Sequence, residues 1–147
     1  SRTPKDIPGI TCLSGPDGLK QALASAQILV LLLPDTPETA NTLNARPLAM
    51  LPRGAFILNP GRGPLIDDDA LIAALDSGQV AHATLDVFRQ EPLPADHPYW
   101  HHPRVTVTPH IAADTRPETA SRVIAENIRR SEAGEPLLHL VDRAHGY

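Results

Sequence analysis

The feature that most constrains this chain is the run QILVLLL at residues 27–33, six successive aliphatic side chains closed off by Pro34. An apolar run with no polar break predicts a strand covered on both faces, as in the middle of a parallel sheet. It is far too short to cross a bilayer. Around it, other short aliphatic runs alternate with helical patterns. Residues 10–13 read as a short strand. Residues 16–25 read as a helix with Leu19, Ala22 and Leu23 on one face. Residues 44–51 make a short helix ended before Pro52, and Ala55–Asn59 the next strand. Residues 67–77 then form a helix whose three aspartates crowd the first turn, where the helix dipole favours negative charge. Its inner stripe is Leu71, Ile72 and Leu75, and Gly78 stops it. Residues 83–87 and 105–108 are two more strands. A last helix opens on Thr115-x-x-Glu118, a capping-box pattern, with Pro117 in its first turn, a buried face of Ala120, Val123, Ile124 and Ile128, and Gly134 as its end.

Strand and helix alternating at this spacing predict βαβ units and a Rossmann-like, doubly wound α/β fold with a parallel sheet. In such sheets ligands sit beyond the carboxyl ends of the strands. The loops expected to carry function therefore follow Leu33, Asn59, Val87 and Thr108.

Composition narrows the partners. The 147 residues fit one ordinary domain, and 41% hydrophobic content with few aromatics implies a core of Leu, Ile, Val and Ala. A formal net charge of −4 gives no basic stripe for nucleic acid, since Arg122, Arg129 and Arg130 alternate with Glu126 and Glu132. The single cysteine, Cys12, excludes an internal disulfide and fits a reducing compartment. With no signal-peptide pattern, the expectation is a soluble, cytoplasmic piece. Sixteen scattered prolines read as loop punctuation.

Each expected loop carries distinctive chemistry. After Leu33 comes the stiff polar stretch Pro34-Asp35-Thr36-Pro37-Glu38-Thr39. After Asn59 comes Pro60-Gly61-Arg62-Gly63-Pro64, where flanking glycines let the backbone approach a ligand and the guanidinium can grip a carboxylate through two parallel hydrogen bonds. The same loop reads equally as a surface turn with a solvated arginine. The third strand carries Asp86 and leads to Glu91-Pro92, which taken singly is an ordinary exposed loop. The fourth leads to Pro109-His110-Ile111-Ala112, and a lone histidine beside apolar residues is more often packed than catalytic. His97, His101 and His102 crowd one loop, but their spacing lacks metal-site logic and they read as solvated loop histidines. Trp100 reads either as a pocket wall or as loop packing.

In combination these signals are specific. NPGRGPLID at 59–67, ALDSG at 74–78, LDVFRQEP at 85–92 and PRVTVTPHIAA at 103–113, together with LLLPDTPETANTLN at 31–44, make the chain resemble the D-isomer-specific 2-hydroxyacid dehydrogenase family over essentially its whole length. Thr115-Arg116-Pro117 and the closing VDRAHGY bring the likeness nearest to the family's glyoxylate/hydroxypyruvate reductases. The resemblance implies NAD(P)H-dependent reduction of a small 2-oxo acid, by a catalytic set in which His110 donates the proton, Glu91 is its partner and Arg62 binds the carboxylate. A neighbouring carboxylate favours the protonated imidazole, which fits His110 as an acid. Relatives that transfer hydride alone carry an amide in place of the glutamate.

For the cofactor, the resemblance places Pro34 and the Pro60–Gly61 backbone along the adenosine-to-nicotinamide path, with Asp86 on the carboxamide and Ala112 near the nicotinamide. Arg2, assisted by Lys5, occupies the position where an acidic residue suits NAD and an arginine suits a 2′-phosphate, so NADP is the preferred cofactor and NAD the alternative. Frayed terminal residues without a ligand role are the other reading of Arg2 and Lys5. No G-x-G-x-x-G occurs, so the phosphate-binding turn is expected upstream of Ser1. Residues 1–134 are accordingly expected to be the C-terminal part of the nucleotide domain and 135–147 a tail returning toward an absent substrate domain. The piece is expected to be weak or inactive by itself, and the longer protein a homodimer without membrane or nucleic-acid partners. A non-catalytic nucleotide-sensing module of the same fold remains the alternative.

Overall fold

A computed structural model describes residues 3–143. The chain divides into two compact units, one up to His110 and the other from Ile111 onward.

The first unit alternates helix and strand as the hydrophobic pattern requires. Its order is α1 (Gly15–Ser25), β1 (Ile28–Val30), α2 (Ala45–Met50), β2 (Ala55–Asn59), α3 (Asp68–Asp76), β3 (Val80–Leu85) and β4 (Val105–Val107), with 3-10 turns at Gly63–Leu65 and Pro98–Trp100. The strands form one sheet in the order β1-β2-β3-β4, every pair parallel. This is a Rossmann-like α/β fold, and parallel pairing puts all four strand ends on one edge.

Local chemistry sets the element boundaries. Asn44 caps α2 by accepting from the Arg46 N–H at 3.2 Å, and Asp67 caps α3 by accepting from the Ala70 N–H at 3.0 Å. Gly78, in the left-handed region at φ +72°, turns the chain from α3 into β3. The Gln79 amide then donates to the carbonyls of Leu48 and Leu51, satisfying the end of α2. Between the sheet and the helices, Leu43, Leu48, Ile57, Leu65, Leu71, Leu75, Val80 and Leu85 are fully buried.

Several boundaries differ from the sequence reading. Residues 10–13 form no strand; Ile10 makes only an isolated bridge with Ile7. β1 is three residues long, although Phe56 N–H still donates to Gln27 O and Leu31 N–H to Leu58 O. It is also not covered on both faces: Ile28 is 63% exposed and Val30 47%, and Phe56 and Leu58, their register partners on β2, are exposed too. Leu19 of α1 is exposed, leaving Leu23 as its buried anchor. β3 begins three residues before the expected start and ends at Leu85, so Asp86 lies just past the strand.

The second unit holds α4 (Pro117–Ala133), ended by Gly134. Its N-cap is Arg116, with no side-chain cap, so the capping box from Thr115 does not form. A residue before proline is pushed to extended backbone, which stops a helix from starting at Arg116. Val123, Ile124 and Ile128 are exposed instead of buried. The Asn127 amide exchanges two hydrogen bonds with the Leu138 backbone, fastening the segment after the helix to α4. Among the described residues, no helix is long and apolar enough to cross a membrane.

Candidate active site

The site begins at the end of β2. Asn59, 1% exposed, accepts from the Gly61 N–H at 3.2 Å and donates to the Arg62 carbonyl at 3.0 Å, so one buried amide shapes the loop that presents Arg62. A side-chain Cβ on Gly61 would stand 2.7 Å from the Leu31 carbonyl oxygen, and one on Gly63 would stand 1.9 Å from the Phe88 carbonyl carbon. The close approach that these glycines permit is thus to the protein's own backbone, at the ends of β1 and β3. Arg62 itself is exposed and folds back, Nη1 donating to the Gly61 carbonyl at 2.6 Å.

Past β3 the chain makes a tight polar loop. Asp86, 4% exposed, accepts the Thr108 hydroxyl at 2.5 Å, and its N–H donates to the Asn59 carbonyl at 3.1 Å, tying together the ends of β2, β3 and β4. Glu91 Oε1 accepts the Phe88 N–H at 2.9 Å, and Oε2 meets His110 Nδ1 at 2.8 Å. His110 takes the left-handed conformation at φ +56°, uncommon for a residue with a side chain, and this turns its ring toward Glu91. The Glu91 carboxyl is held below its ordinary range, first by the Phe88 N–H, then by His110 and by the charge of Arg62. Glu91 is therefore a carboxylate at neutral pH, and an ionised Glu91 requires Nδ1 of His110 to carry a hydrogen.

Beside this pair lies a cavity of about 570 Å³ lined by Phe88, Pro92, Leu93, Trp100, Val107 and Pro109, with Thr108, Glu91 and His110. Trp100 is both wall and anchor, since its indole N–H donates to the Pro94 carbonyl at 2.8 Å. An apolar cavity with one carboxylate–imidazole pair in its wall suits the transfer of a single proton.

The remaining expected positions are spread more widely. Pro34, half-buried, follows β1, its carbonyl accepting from Thr39 Oγ1 at 2.6 Å. Pro60 and Gly61 follow β2, and Asp86 follows β3. Lys5 lines a different groove, with Ile7, Thr11, Cys12, Leu13 and Ala22. Ala112 belongs to the second unit. Arg2 lies outside the described residues. His97 and His102 each accept a backbone N–H through Nδ1, from Tyr99 and Arg104, and so organise the loop before β4.

Four residues of this edge escaped sequence reasoning. Asn59 and Thr108 bind loop backbone and Asp86, as above. Arg89 Nη2 donates to Asn41 Oδ1 and to the Ile66 carbonyl, and approaches the Pro64 carbonyl at 3.4 Å. Asp68, on the first turn of α3, accepts the Tyr99 hydroxyl at 2.9 Å and faces Arg89 Nε at 3.6 Å and His97 Nε2 at 3.9 Å. The one signal available was strand-end polarity, which Asn59 and Thr108 carry.

Residues 10–112 match the family of the D-isomer specific 2-hydroxyacid dehydrogenase NAD binding domain. Among solved structures, a D-isomer specific 2-hydroxyacid dehydrogenase from Xanthobacter autotrophicus Py2, in complex with NADPH and MES, is 54% identical over all of this chain at a TM-score of 0.96. An NADPH-dependent glyoxylate/hydroxypyruvate reductase from Sinorhizobium meliloti, with NADP and sulfate, is 37% identical over 100% of the chain at 0.93. A probable 2-hydroxyacid dehydrogenase from Rhizobium etli CFN 42, with NADP, HEPES and L(+)-tartaric acid, is 37% identical over 99% at 0.90. The chain spans 61%, 48% and 47% of those three chains, respectively.

Proposed function

Because the chain belongs to the D-isomer specific 2-hydroxyacid dehydrogenase family, we propose that it forms the cofactor-binding and proton-donating part of a reductase acting on a small 2-oxo acid. The observation that carries this reading is the 2.8 Å contact between Glu91 and His110 Nδ1 beside an apolar cavity. With Nδ1 bonded to the carboxylate, Nε2 is the ring nitrogen that gives its proton to the substrate's carbonyl oxygen. The neutral ring left behind keeps its Nδ1–H on Glu91, so orientation survives the transfer. General-acid catalysis of this kind is worth about 10²–10⁴ in rate. Arg62 offers two parallel donors to the substrate carboxylate once its side chain leaves the Gly61 carbonyl.

The residues fit a nicotinamide nucleotide, which when bound supplies the hydride. Asp86 is a buried acceptor at the end of β3, and carboxylate oxygens can take a carboxamide N–H alongside the Thr108 hydroxyl. The backbone around Pro34, Pro60 and Gly61 and the second-unit residue Ala112 complete the reading. Arg2 and Lys5 favour a 2′-phosphate, hence NADP(H), and the three solved relatives were crystallised with NADPH or NADP. Glyoxylate and hydroxypyruvate are the proposed substrates, by likeness to the Sinorhizobium enzyme. The rest of the cleft is assigned to the remainder of the longer protein, a cytoplasmic homodimer. The 147 residues alone, nucleotide domain to residue 134 and tail beyond it, are catalytically weak on this reading.

The test is NADPH oxidation by the full-length protein with glyoxylate and hydroxypyruvate, repeated with NADH. Turnover of both acids is expected, with a higher kcat/KM for NADPH. Tight nucleotide binding without turnover of any 2-oxo acid would replace the enzyme by a nucleotide-sensing module. A clear NADH preference would remove Arg2 and Lys5 from the cofactor site.

A further inference from the structure

We propose that Arg89, backed by Asp68 and Tyr99, is a positioning residue that fastens the loops after β1, β2 and β3 into one rigid edge and so sets where Arg62 and Glu91 stand. The proposal rests on the reductase reading for its kinetic consequences, and on geometry for the rest. Arg89 lies two residues before Glu91. Its Nη2 donates to Asn41 Oδ1, on the loop after β1, and to the Ile66 carbonyl, on the loop after β2 that presents Arg62. Asn41 holds the left-handed conformation at φ +52°, aiming its side-chain carbonyl into this junction.

Behind the guanidinium, Asp68 Oδ2 stands 3.6 Å from Nε, and Oδ1 accepts the Tyr99 hydroxyl at 2.9 Å. Tyr99 is 3% exposed, so the carboxylate is held by a fixed donor from the loop before β4. Burial raises the Asp68 carboxyl, against the pull of the Tyr99 hydroxyl, Arg89 and His97.

The loops are also in hard contact. The Phe88 backbone fills the space beside Gly63 so closely that no side chain could stand there. A shift at Arg89 therefore moves Phe88, whose N–H holds Glu91, and Gly63, which adjoins Arg62. Lysine cannot substitute, because one ammonium cannot meet the loop acceptors at Nη2 and at the same time face Asp68, which stands 3.6 Å from Nε.

The experiment compares Arg89→Ala and Arg89→Lys in the full-length protein, with far-UV circular dichroism as the check that the fold is kept. In Arg89→Ala, kcat is expected to fall on the order of 10²-fold and KM for the 2-oxo acid to rise, as misplacement by about 1 Å does. Kd for NADPH is expected to rise as well, because Pro34, Pro60, Gly61 and Asp86 stand on the loops that Arg89 fastens. Arg89→Lys recovers little. An independent readout is the Glu91 carboxyl titration, followed by ¹³C NMR. It faces the Phe88 N–H, His110 and Arg62, and its midpoint is expected to rise toward the ordinary value of 4.5 as the Phe88 N–H is lost. Unchanged kcat, KM and Glu91 midpoint overturn the proposal, and so does full rescue by lysine. If the wild-type protein reduces no 2-oxo acid, the reductase reading fails, while the Glu91 midpoint still decides the role of Arg89. Should Arg89→Ala not fold, Tyr99→Phe removes one hydroxyl from Asp68, and a smaller fall in kcat with a smaller upward shift of the Glu91 midpoint is expected; no shift there counts against the proposal.

Discussion

Glu91 divides its two oxygens between structure and chemistry: Oε1 takes the Phe88 N–H and Oε2 takes His110. Both contacts favour the ionised form, and they have separable consequences. For stability, a carboxyl depressed in the folded state contributes fully above its unfolded value of 4.5, and the contribution disappears as pH falls through the lower folded value. Glu91→Gln should remove that dependence, so that thermal midpoints of variant and wild type converge in acid and separate above pH 4.5. For reduction, the glutamine amide carries no charge to set against the imidazole that donates the proton, whereas Glu91 is an ionised carboxylate. The optimum of kcat/KM in the full-length enzyme is expected to move downward; an unchanged profile would sink the pairing. Arg62, Glu91 and His110 could be proposed from sequence because the loops that carry them, each after a strand, resemble the family's in their order. Arg89 and Asp68 were not, because their partners are remote in sequence: 48 residues separate Arg89 from Asn41, and 31 separate Tyr99 from Asp68.

At the scale of elements, α3 shows why some boundaries were readable. Asp67 caps it through the Ala70 N–H, Asp68 and Asp69 follow in the first turn, and Leu71 and Leu75 seal it to the core. Asp67→Ala should cost about 0.5–2 kcal/mol, measured by urea denaturation. A loss below a few tenths would mean that the neighbouring aspartates supply the start without the cap. Local signals of this kind fixed α2, α3 and β2 closely. They misplaced β3, because its first residues, Val80 to His82, carry little apolar periodicity and are ordered by pairing with β2. They produced a false strand at residues 10–13, where apolar side chains lack a strand to pair with among the described residues. At α4 two local rules competed, and the extended backbone imposed before Pro117 prevailed over the capping box.

On the scale of the whole molecule, the decisive feature is the face of the sheet bearing Ile28, Val30, Phe56 and Leu58. The register sets Ile28 beside Phe56 and Val30 beside Leu58, so these four side chains form one continuous apolar patch. All four are exposed, while Leu29 and Ile57, on the opposite face, pack against the core. β1 also pairs only with β2 among the described residues, which leaves its outer edge available to another strand. The unbroken run at 27–33 predicted cover on both faces, and the pattern was a sound guide to what these side chains require; within these residues that cover is absent. An apolar patch beside an open strand edge favours association. The 147-residue chain produced by itself is therefore expected to form dimers or larger species in sedimentation velocity at micromolar concentration. Phe56→Ser with Leu58→Thr, both on the exposed face and away from the fully buried core, should shift it toward monomer without lowering its helical signal. A chain that sediments as a monomer before any substitution would show that the patch is shielded in solution.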